Sequence, residues 1–452
     1  MGSRKCYNRH ADPVAIRDAR ERRRRRIADA SIRLALVAVC LVIGAACGRR
    51  PPEAGPVTLV FKHAKILGPT DPVPHLLREF EARNPGVRVR SEALTWSSDE
   101  QHQFYAVNLE GGNAGLDVMM LDCVWVPEFA RAGWLLDLTP FLTPTETAPH
   151  FPTALEPAVM NGRVWALPWF MNVGLLYYRK DLLDKYGLRP PATYEELVRQ
   201  VGLIRSREHD PRLDGFLWQG KQYEGMVVNV LEGFWANGTR LLDEAGAVLP
   251  EPERAEEALA FLRGVIESGV SPAWSTAADE ELTRRAFQDG RAIFLRNWPY
   301  AMDLLEQPGS AVRGRVGIAS LPRHPHGVRG IGSTGGAHLG VYRGTRHPEA
   351  ATALVRFLAG ESAERAMAAG AALSPSRMAL YHDPLLVRDH PSFPKIYTLT
   401  LAARPRPVTP AYLMMSTMIQ PEFSAALVGI KTPREAVAES RRGLTHLLDG
   451  LR

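Results

Sequence analysis

With 452 residues, 45% of them hydrophobic and 23% charged, the chain has an ordinary globular composition and is long enough for two or three domains. Its formal charge of +6 is unevenly placed: residues 1–47 hold 11 Lys and Arg against 4 Asp and Glu, which leaves 44 against 45 for the remainder. A body so nearly neutral offers no footprint for a phosphate backbone, so nucleic acid is excluded as a partner.

In chain order, the first segment reads as an export signal. Arg22 to Arg26 supply a positive region, Leu34 to Ala46 an apolar run too short to span a bilayer, and Gly44, Ala45 and Ala46 precede Cys47. This resembles a bacterial lipoprotein signal and implies that Cys47 is lipidated, tethering an extracytoplasmic body to the membrane. Gly44 departs from that pattern, which favours a Leu-like residue three places before the Cys. Cys6 and Cys40 fall within residues 1–47, so Cys123 is left alone in the body, with no disulfide partner, as a small buried hydrophobe.

Residues 48–56 form a Pro/Gly-rich tether. Strands are expected at Val57–Phe61 and Val87–Arg90 and a buried one at Leu116–Leu121, with helices over Asp71–Arg83 and Asp99–Leu109 between them. Such alternation predicts an α/β lobe with right-handed crossovers. Farther on, Trp125–Ala132 reads as a helix, Thr193-Tyr-Glu-Glu196 as a capping box, and Glu253–Ser268, Asp279–Gln288 and Pro348–Ala359 as helices. Strands are expected at Arg291–Leu295, Val316–Leu321 and Ala337–Tyr342, and the C-terminal third is helical.

The most informative stretch is Asn161–Tyr194, where Trp165, Trp169, Phe170, Tyr177 and Tyr178 flank Asn172 and Gly174. Leu176, Tyr177 and Tyr178 read as core, while Trp169, Phe170 and Asn172 suit a wall that stacks apolar faces and bonds hydroxyls. Arg296-Asn297-Trp298-Pro299-Tyr300 offers two more rings, and Arg404-Pro405-Arg406-Pro407 two guanidiniums in a stiff loop. Asp122 stands at the end of a buried strand, where open α/β sheets bind ligands. A glycoside-hydrolase reading pairs Asp122 with Glu224 or Asp181 as acid and nucleophile. Gly330-Ile-Gly-Ser-Thr-Gly335 matches a dinucleotide motif but lacks the strand before it and the helix after it, so a crossing segment explains its glycines better. His324, His326 and His338 have no carboxylate nearby in sequence, and neither metal nor cofactor is expected.

From about Val57 to Gly450 the chain resembles the family 1 extracellular solute-binding proteins of ABC importers. The segments that carry the resemblance are LDVMMLDCVWVPEFARAGWLLDL, LPWFMNVGLLYYRKDLL, FLWQGKQYEG, FLRNWPY, GGAHLGVYRGTRHPEAA and RPRPVTPAY, in the family's order. WQGKQYEG, RNWPY and RPRPVTP are most similar to the trehalose/maltose-binding branch. The resemblance implies an α/β, two-lobed periplasmic-binding-protein fold (type II-like). Three hinge crossings are expected, near Leu155–Val159, Val328–Thr334 and Ala371–Ser376. The expected N-terminal lobe comprises 57–155 and 332–372, and the C-terminal lobe 156–331 and 373–452. It implies a monomer that binds a di- or oligosaccharide and delivers it to the importer's membrane subunits.

By position, Asp122, Asn172 and Arg406 would then bond sugar hydroxyls, and Phe170, Trp298 and Tyr300 would stack on pyranose faces. Gly336 would allow close backbone approach, with Ser97, His102 and Glu224 also at the ligand. Three departures stand out: Asn172 where the branch has Asp, Ala337 where it has an aromatic, and the loop KHAKILGPTDP after the first strand, which lacks the family's acidic ligand and offers Asp71 in its place. A glycerophosphodiester or another oligosaccharide is the alternative ligand on the same fold.

Overall fold

The computed structural model describes residues 56–451, apart from 67, 68, 96, 113 and 114. The export signal, Cys47 and tether residues 48–55 lie outside the described residues.

Strands Val57–Ala64, Val87–Leu94 and Val118–Asp122 alternate with helices Val73–Arg83 and Ser98–Glu110. The first helix forms because Val73, Leu76, Leu77 and Phe80 recur at one face and bury it against the sheet. Asn84 stops it, its backbone N–H and its side-chain amide both donating to the Phe80 carbonyl. The three strands run parallel, with Val57–Ala64 in the middle. Thr334–Val341 then joins antiparallel beside Val118–Asp122, and Leu167–Val173 closes the five-stranded sheet at its edge.

A second sheet of four strands has the order Val316–Ala319, Leu175–Arg179, Ala292–Asn297, Asp214–Leu217. Its largest core gathers the helices Tyr194–Glu208, Glu224–Ala236, Pro252–Glu267, Tyr412–Leu427 and Pro433–Asp449. The helix Glu224–Ala236 is buried along its whole length. Thr193 caps Tyr194–Glu208 through a bond from the Glu196 N–H (3.2 Å), while the Glu196 carboxylate accepts from Ala192 N rather than from the cap itself.

The aromatic stretch therefore serves both sheets. Leu167–Val173 belongs to the first and Leu175–Arg179 to the second, so the chain passes between them at Gly174 and not near Leu155–Val159, where the sequence suggested the first crossing. Residues 159–164 form instead a short hairpin. One strand ends at Val173 and the next begins at Leu175, and only glycine fits between them: a Cβ at Gly174 would stand 1.9 Å from Glu232 Oε1. A later return runs between Val316–Ala319 and Thr334–Val341, and Gly330 in it would place a Cβ 1.5 Å from the Leu321 carbonyl oxygen. Close backbone approach thus accounts for Gly330 and Gly332 of the segment that mimics a nucleotide motif, whereas Gly335 packs against the Trp298 ring at ordinary distance. Among the described residues no helix is long and apolar enough to cross a membrane.

Candidate functional site

A cavity of about 350 Å³ lies between the two sheets. Its floor is built by register. Ala337 pairs with Asp122 on one side and Phe170 on the other, so three lining residues stand abreast on neighbouring strands. The ladder shifts between Ala337 and His338, and Gly336 has φ +119° with no room for a side chain, its Cβ position being 2.3 Å from the Phe170 carbonyl oxygen. Gly336 does permit close approach, but the approach is of the next strand. Phe170 and Asn172 face the cavity, whereas Trp169 points to the opposite side and is wholly buried in the core, correcting the wall expected of it.

The opposite wall follows strand Ala292–Asn297. Asn297 Oδ1 accepts from Trp298 N (2.7 Å), and the Tyr177 hydroxyl donates to the Trp298 carbonyl (2.7 Å), fixing the turn that presents Trp298 and Tyr300. The first turn of helix Glu280–Gln288 holds the rings in place. Glu280 accepts from Trp298 Nε1 (3.3 Å) and from the Tyr223 hydroxyl (2.6 Å), and Glu281 accepts from the Tyr300 hydroxyl (3.0 Å). Burial, with the neighbouring carboxylates, lifts both tyrosine hydroxyls well above their ordinary pKa. Tyr300 is only 4% exposed and shows the cavity little of its ring.

Between the walls sits Arg406, 4% exposed. Its Nη1 donates to Glu224 Oε1 (2.7 Å) and its Nη2 to Asp122 Oδ1 (2.9 Å), so one guanidinium joins a strand end of the first sheet to a helix of the second lobe. Burial opposes its charge, and Asp122, Cys123 and Glu224 more than offset that, holding its pKa well above the usual range. Glu224 also accepts from the hydroxyls of Tyr412 (2.7 Å) and Ser416. Among the described residues Asp122 Oδ2 takes no partner, and it remains an acceptor at the cavity. These contacts differ from the acid–nucleophile pairing weighed for Asp122 and Glu224, since both carboxylates clasp the same cation. Asp181 is bonded to Arg179 (2.6 Å) and does not line the cavity.

Other expected residues fall differently. Ser97 lines the cavity and caps helix Ser98–Glu110, accepting from Glu100 N. His102 does not line it: Nε2 meets Glu128 Oε2 (3.0 Å) and the ring packs edge-on to Trp125 and Phe129. Its neighbour Gln101 reaches the cavity instead. Arg404 also stays outside, its backbone pairing with the crossing segment through Thr334 N (2.7 Å) and the Gly332 carbonyl (3.1 Å). Cys123 is a buried free thiol pushed by burial to about 12, which leaves it protonated.

The sequence reading missed Trp125, Tyr223, Asp279, Glu280 and Lys221 as lining residues. Trp125 was legible in principle, three residues past Asp122 at the strand's end, and Asp279–Glu280 as a capped helix start beside the rings. Asp99, in the first turn of Ser98–Glu110, has its carboxyl raised to about 6 by burial and by the charges of Glu224 and Asp122. Among the described residues no group of three or more His, Cys, Asp or Glu is placed to hold a metal ion.

The model of the bacterial extracellular solute-binding protein family matches residues 69–365. A probable ABC transporter-binding protein of Deinococcus radiodurans is 32% identical over 361 residues, spanning 78% of this chain and 84% of that one. Among solved structures, MalE3 of T. maritima with maltose bound superimposes with a TM-score of 0.81 at 36% identity, over 86% of this chain and all of that one. The GacH receptor of Streptomyces glaucescens, solved unliganded and with acarbose, has a TM-score of 0.76 at 23% identity over 87% of this chain and 99% of that one, and shares the fold.

Proposed function

Because the chain belongs to the bacterial extracellular solute-binding protein family, we propose that it is the sugar receptor of an ABC importer, holding a neutral disaccharide of the maltose or trehalose kind between its lobes. The observation that carries this reading is the cavity's two-sided chemistry. Trp298 and Phe170 offer apolar faces of pyranose size from opposite sheets, and Asp122, Asn172 and Gln101 surround them with hydroxyl partners. The maltose held by the T. maritima relative at 36% identity supports the same class of ligand.

Charge narrows the class further. Four carboxylates line the cavity, from Asp122, Glu224, Asp279 and Glu280, against the two cations Lys221 and Arg406. Arg406 is spent on Asp122 and Glu224, so an anionic ligand such as a glycerophosphodiester meets net repulsion. A sugar that touches both walls binds the closed form better than the open one and shifts the population towards it. The membrane subunits then take the closed form. Acylation of Cys47, in the residues preceding the described body, keeps the receptor at the extracytoplasmic face.

A thermal-shift series with maltose, trehalose, sucrose and glycerophosphoglycerol, a net-anionic glycerophosphodiester, tests the reading, with each sugar recovered and chromatographed afterwards. At least one neutral disaccharide raises the melting temperature and returns intact, and glycerophosphoglycerol leaves it unchanged. Release of monosaccharide, or a shift with glycerophosphoglycerol alone, overturns it.

A further inference from the structure

Two of the passages between the sheets meet over a buried ion pair. Glu232 and Arg296 are 2% and 1% exposed, and Arg296 Nε and Nη2 donate to Glu232 Oε2 and Oε1 at 2.8 and 2.6 Å. Glu232 Oε1 also accepts the backbone N–H of Ser333 at 2.8 Å. The Ser333 carbonyl in turn accepts the N–H of Gly174 at 3.0 Å, so both crossing segments depend on this one carboxylate. Neither crossing has room to spare: a Cβ at Gly332 would stand 2.2 Å from the Gly174 carbonyl oxygen.

The other face of the pair points to the cavity. The Arg296 guanidinium lies 4.0 Å from the centroid of the Trp298 ring, a cation–π contact behind a cavity wall. Gln219 fixes the guanidinium further, accepting from Nη1 (3.3 Å) and donating to the Arg296 carbonyl (2.9 Å). Two well-packed apolar side chains of similar volume are commonly as stable as a buried ion pair, so stability does not explain the charges here. A bidentate fork sets the plane of the guanidinium and of the ring upon it, and leaves an acceptor for an amide, which apolar side chains cannot do.

We propose that Arg296 and Glu232 are positioning residues of the cavity, holding the Trp298 ring and the Ser333 amide so that stacking platform and crossing move as one piece. The inference rests on the reading of the cavity as a sugar site.

The double variant Glu232→Met/Arg296→Met removes both charges together and keeps the volume. Three quantities are read: the urea midpoint, maltose affinity by calorimetry, and hydrogen exchange at the Ser333 amide without ligand. The expected result is a folded protein with maltose affinity at least tenfold weaker and Ser333 exchange at least tenfold faster. A folded double variant with wild-type affinity and protection overturns the proposal. Should the double variant not fold, Arg296→Lys, which keeps the charge but loses the fork and the planar stack, is read by the same criteria. If the wild-type chain binds neither maltose nor trehalose, the sugar reading fails, and Ser333 exchange in the ligand-free variants still decides the role of the pair.

Discussion

One buried helix, Glu224–Ala236, supplies a carboxylate to each of two arginines, and the two are used in opposite ways. Arg296 gives its fork to Glu232 alone, inside the second lobe and beside the crossings. Arg406 divides its fork between Glu224 and Asp122, which belong to different lobes. An ion pair within one lobe is kept at every lobe angle, whereas one that joins the lobes forms only where they meet. The first arrangement suits fixed geometry and the second suits closure. Two buried guanidiniums paired to one helix thus mark one contact held within a lobe and one held between lobes.

The comparison predicts a graded set of effects. Glu232→Ala leaves Arg296 buried without its partner and costs about 3–5 kcal/mol of unfolding free energy, measured with urea. A loss below about 1 kcal/mol contradicts the structural half of the comparison. Arg406→Met costs less stability, about 1–3 kcal/mol, because Glu224 keeps Tyr412 and Ser416 and Asp122 is partly exposed. Its larger effect is on maltose, with affinity at least tenfold weaker by calorimetry. Trp298→Ala removes one stacking face and weakens maltose about tenfold, near 1.4 kcal/mol, while the circular dichroism of the fold is unchanged.

The smallest effect concerns Asp99. Its folded pKa of about 6 exceeds the ordinary 3.8, so its stability contribution is present below pH 3.8 and is lost as the pH rises through 6. Asp99→Asn therefore raises the melting temperature above pH 6, by a stability gain of roughly 1 kcal/mol once solvent screening is allowed for, and the gain disappears near pH 3.8. A gain that is equal at both pH values contradicts that origin.

What the sequence made legible is what short-range patterns encode. The apolar spacing of Val73, Leu76, Leu77 and Phe80 announced their helix, and the buried run ending at Asp122 announced a strand with a ligand-side end. What it hid is set by register and by neighbours distant in the chain. Trp169 and Phe170 look alike in sequence, but successive strand residues face opposite ways and only Phe170 faces the cavity. One position on a helix is a turn of about 100°, which is enough to exchange His102 for Gln101. The alignment of Asp122, Ala337 and Phe170 across three strands depends on a ladder shift that no local motif records. Gly174 gave no sign of a lobe boundary, because the residues on either side of it, Leu167–Val173 and Leu175–Arg179, are alike in apolar and aromatic character. Asn172 and Ala337 both lie at the cavity, brought there from different strands.

Calorimetric titration of the wild-type chain with maltose, repeated with Trp298→Ala, decides whether the cavity between the sheets is a sugar site. Saturable one-to-one binding to the wild type and about tenfold weaker binding to the variant are expected. Heats indistinguishable from dilution with maltose, and again with trehalose, would contradict that assignment, as would binding that is indifferent to the loss of Trp298.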